Sequence, residues 1–119
     1  MPPRRAAHGA VPTPRWEDQE LDAAALGVAR LVRDALAALR EAGDARWHAW
    51  LSAALPALED GSTREVGAAA QRVRAAFGST DSVVDAWPGD DAFRLRDATD
   101  GLIRILHARA AHGARPAAR

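Results

Sequence analysis

Apolar side chains recur along this chain every three to four residues, in four stretches separated by glycine, proline and small polar residues. In the first stretch Leu21, Ala25, Val28, Val32, Ala35, Leu36 and Leu39 share one arc when placed at about 100° per residue. Asp22, Arg30, Arg33, Asp34, Arg40 and Glu41 occupy the other side, which is the pattern of an amphipathic helix. This predicts a long helix over about 17–42. Its acidic start (Glu17, Asp18, Glu20, Asp22) suits the helix dipole, and Gly43 supplies a stop.

Asp44 is a natural N-cap for a second helix over 45–59, with Trp47, Trp50, Leu51, Ala54, Leu55 and Leu58 on its apolar face. Pro56 lies inside that span and removes the hydrogen bond to the Ser52 carbonyl, so a kink is expected there. A helix that ends near Ala54 and restarts at Pro56 is the alternative. Gly61 then breaks the chain, and Ser62, Thr63, Arg64 and Glu65 read as a capping box. The third helix buries Val66, Ala69, Ala70, Val73 and Phe77 before Gly78.

Residues 78–89 are the least regular part of the body, with Asp81 placed to cap a single turn that ends at Pro88 and Gly89. A fourth helix follows over about 90–110, its apolar arc formed by Leu95, Ala98, Leu102, Ile105 and Leu106. No β-alternation and no repeat is visible. The expected fold is all-α: a compact antiparallel bundle of four helices with a kinked second helix and an irregular connection before the last. One helical domain over 17–110 is flanked by a disordered leader, 1–16, with four of the seven prolines, and a disordered tail, 111–119.

Composition changes this picture in one respect. The hydrophobic share is 48%, but about a quarter of the chain is alanine, which favours helix and buries little area per side chain. The core must lean on a few leucines, valines and tryptophans. All 16 basic residues are arginine, as a G+C-rich coding bias would give. Net charge is zero, yet residues 17–109 hold 11 arginines against all 16 acidic residues, a net charge of −5. An acidic body with basic ends is a poor match to a nucleic-acid surface. The lack of cysteine excludes disulfides and thiolate chemistry and fits a cytoplasmic protein. No apolar run approaches the roughly 18 residues that span a bilayer.

Candidate chemistry is sparse. His107 and His112 are five apart, not the four that place two metal ligands on one helix face, and His8 and His48 stand alone. Asp81, Asp85, Asp90, Asp91, Asp97 and Asp100 do not follow the ligand spacing of a calcium loop. Serine-nucleophile and phosphate-loop patterns are absent. Helices two and three, joined by Asp60, Gly61 and Ser62, could form a helix-turn-helix presenting Arg64, Gln71, Arg72 and Arg74. Trp16 and Trp87 sit at element boundaries, where packing explains a tryptophan more simply than a partner contact does.

The run Trp47-His48-Ala49-Trp50-Leu51, then Leu58-Glu59-Asp60-Gly61 and Arg74-Ala75-Ala76-Phe77-Gly78-Ser79, resembles a family of small bacterial helical proteins of unknown function. That family carries a W-x-x-W-L helix and a glycine-rich A-F/Y-G-G-x-G-S-x-N-D-L segment. Here Ser79-Thr80-Asp81-Ser82-Val83-Val84-Asp85 replaces the glycine-rich part. The resemblance implies a helical fold and a bacterial origin, and no activity.

The leading expectation is a cytoplasmic, antitoxin- or immunity-like module that binds another protein through Asp81, Asp85, Trp87, Asp90 and Asp91. A helix-turn-helix DNA-binding regulator using Arg64, Arg72 and Arg74 is the alternative, and a small metal-dependent enzyme a second. No catalytic, cofactor-binding or metal-ligating residue is assigned, and alanine-rich surfaces leave a homodimer open.

Overall fold

In the computed structural model, which describes residues 15–78 and 81–114, three of the helices begin at side-chain caps. Helix α1, Gln19–Ala42, starts at Asp18, whose carboxylate accepts from the Leu21 amide at 3.2 Å. It ends in a Schellman motif: the Gly43 amide donates to Arg40 and the Asp44 amide to Leu39. Gly43 sits at φ 73°, a left-handed conformation that favours glycine. Leu21, Ala25, Val28, Ala29, Val32, Ala35 and Leu39 are buried along one face.

The second helical stretch is broken where the kink is expected, into two segments that match the alternative of a restart at Pro56. Helix α2, Ala45–Ser52, is capped by Asp44, which accepts from the Trp47 amide at 2.9 Å. At Ala53 and Ala54 the ladder tightens to a bond from the Ala54 amide to Leu51, and α3, Leu55–Asp60, begins. Pro56 therefore stands in the first turn of a new helix, where its missing amide costs little. Gly61 follows α3, and its lack of a side chain has a steric reason. A Cβ there would lie 2.8 Å from the Ala57 backbone and 3.0 Å from Glu65 Cβ.

Helix α4, Thr63–Ala75, opens with the capping box: Ser62 Oγ accepts from the Glu65 amide and the Glu65 carboxylate from the Ser62 amide. Past it, Phe77 and Ser82 form a single antiparallel bridge, and a short 3-10 turn, Val83–Asp85, follows. The turn is capped by Ser82, not Asp81, through Ser82 Oγ and the Val84 amide. Helix α5 runs over Asp90–Ala114. Residues 111–114, assigned to a tail on sequence, thus continue the last helix, and 115–119 lie outside the described residues.

The leader is corrected in the same way where it can be seen. Residues 1–14 lie outside the described residues, but Arg15 and Trp16 belong to a 3-10 turn, Arg15–Glu17. Arg15 is buried at 7% exposure. Its guanidinium donates to the carbonyls of Ala57, Leu58 and Gly61 at 2.9, 2.7 and 3.3 Å, and to Asp22 at 2.8 Å. A cation thus caps the negative end of α3, taking up the Leu58 and Gly61 carbonyls and sharing that of Ala57 with the Gly61 amide.

The result is an all-α antiparallel bundle in which α1 packs on α2, α3 and α5, and α4 closes the structure against α3 and α5. The antiparallel sense of α1 and α5 is marked by Arg109, near the end of α5, which pairs with Asp18 and Glu20 at the start of α1. The core is assembled from leucine, valine and alanine, with Trp47 and Trp87 as its largest members. Thr99 is fully buried and satisfies its hydroxyl on the Leu95 carbonyl at 2.7 Å.

Candidate partner-binding surface

The segment between α4 and α5 is held by its apolar residues. Val83 is fully buried and Trp87 is 7% exposed; the Val83 amide donates to Ala76 and the Trp87 amide to Val83. With both side chains in the core, the intervening Asp85 is turned outward. Asp81, Asp85, Asp90 and Asp91 are all exposed. Four of the five sequence-assigned positions are thus accessible, and Trp87 is a core residue whose side chain offers a partner almost no surface.

The four carboxylates do not form one cluster. Asp81 and Asp85 share a cleft of about 480 Å³ with Asp44, Arg46, Trp47 and Ser82. Arg46 pairs with Asp81 across it, and its guanidinium lies 4.5 Å from the centre of the Trp47 ring. Asp44 is committed to capping α2. Asp90 and Asp91 stand instead in the first turn of α5, where the dipole favours negative charge, and Asp91 pairs with Arg94 at 3.2 Å.

Two residues of this region were not singled out by the sequence. Arg46 gave no signal, because its partner Asp81 is remote in the chain. Phe93 did give one: it lies about 160° from Leu95 on the helix wheel, away from the apolar arc of α5. It is 41% exposed, one of three large apolar side chains in that state among the described residues, with Trp16 and Leu26, and Arg96 sits 4.9 Å over its ring.

The arginines proposed to read DNA are mostly engaged within the fold. Arg72 donates from Nε to the Trp50 carbonyl at 2.7 Å and stacks 4.0 Å over the Trp50 ring, while Trp50 Nε1 donates to the Arg72 carbonyl at 2.8 Å. The break after α2 explains the first bond. The Ala54 amide turns to Leu51, so the Trp50 carbonyl is left for a side chain. Arg74 pairs with Asp100 of α5 at 2.7 Å. Only Arg64 remains exposed at the start of α4.

His107 and His112 are exposed on α5, and His48 is half-buried with an Nε2 that finds no hydrogen-bond partner among the described residues. Among the described residues no three histidine or carboxylate side chains converge as a metal site would require. An alanine-lined groove of about 580 Å³ runs between α3 and α4, with Pro56, Asp60, Glu65 and Arg72 at its edges. Among the described residues no helix is long and apolar enough to cross a membrane. No family model, curated protein or solved structure matches the chain, so the resemblance to the bacterial family rests on the quoted residues alone.

Proposed function

We propose that this protein is a cytoplasmic, antitoxin- or immunity-like module that binds a basic surface of another protein through the acidic end of its bundle. One observation carries the reading. Between Gly78 and Asp91 the chain has four aspartates and no arginine; all four are exposed, Asp81 paired with Arg46 and Asp91 with Arg94, while Val83 and Trp87 pin the segment to the core. A fixed acidic surface favours fast, oriented encounter with a cationic partner. Phe93, one turn from Asp90, adds the exposed aromatic that protein interfaces favour at their centres. The DNA-binding alternative loses ground, because Arg72 and Arg74 would have to leave Trp50 and Asp100 to reach a phosphate.

The test is affinity capture from the native host at about 0.05 M and about 0.5 M salt (a roughly threefold change in screening length), with the native chain and the variant D81N/D85N/D90N/D91N. The reading expects a basic protein retained by the native chain at low salt, lost at high salt and lost with the variant. Equal retention by the variant, or recovery of nucleic acid alone, would overturn it.

A further inference from the structure

We draw no further inference here: the strongest candidate, the alanine-lined groove between α3 and α4, is an unpartnered apolar face, and nothing in the structure shows what covers it.

Discussion

Arg15 shows how much one side chain can do in a core this poor in large residues. Its guanidinium closes three carbonyls at the end of α3 and one carboxylate of α1, joining elements more than forty positions apart. Charged groups are rarely so buried unless fully paired, and removing one partner leaves the others unsatisfied. Arg15→Ala is therefore expected to destabilise the fold by about 2–3 kcal/mol, read as a lower urea midpoint at unchanged slope. Arg15→Lys should recover only part of this, since an ammonium cannot span the same fork of acceptors. An unchanged midpoint for the alanine variant would remove Arg15 from the structural account. Sequence reading had no access to this role. An arginine beside prolines and far from any apolar period looks like leader, and its acceptors are backbone atoms, which carry no residue signature.

At the scale of elements, the helices were legible because each has a local cause. The 3.6-residue stripe, Asp44, Gly43 and the Ser62–Glu65 box all act within a few residues. The second helix shows where locality ends. Its stripe runs through Pro56 unbroken, so periodicity leaves a kinked helix and a restart at Pro56 as alternatives, and the backbone breaks its ladder there, ending α2 and starting α3 around the proline. The two descriptions differ in the sign of a measurable effect. An interior proline costs about 3 kcal/mol, and replacing it by alanine would stabilise. In a first turn proline is preorganised, so Pro56→Ala should instead cost about 0.4–1 kcal/mol. Denaturant unfolding of that variant decides between them.

The staple between α1 and α5 makes a pH prediction at the same scale. Hydrogen bonds from the Arg109 guanidinium, and then from the Leu21 amide, hold the Asp18 carboxyl below its ordinary value of 3.8. A carboxyl depressed in the folded state adds stability above its unfolded pKa and loses it as pH falls through the folded one. Asp18→Asn keeps an N-cap but removes this charge. The native chain should be the more stable at pH 7, and the difference should shrink as pH falls below 3.8. Arg109→Gln should behave alike, and the two changes together should cost less than their sum. A stability gap constant from pH 7 to acid would show that the pair contributes nothing.

For the whole molecule, the decisive division is between residues that hold the bundle and residues that it displays. The sequence leaves residues 78–91 without a packing role and groups Trp87 with the aspartates, because a tryptophan between two turns carries no periodicity to assign its side. The fold separates them: Trp87 packs in the core cluster, the aspartates stay in water, and the exposed aromatic one turn from Asp90 is Phe93. Trp87→Ala should then cost about 3–5 kcal/mol, a large share of a small domain's stability. Phe93→Ser should change stability by less than about 1 kcal/mol, as substitutions at exposed positions do. Binding should follow the opposite order. The folded Phe93→Ser protein is expected to lose retention of the captured partner, and the milder Trp87→Phe is expected to keep it. If Trp87→Phe abolished capture while its thermal midpoint stayed native, the side chain would be a contact after all, and the surface would have to be redrawn around it.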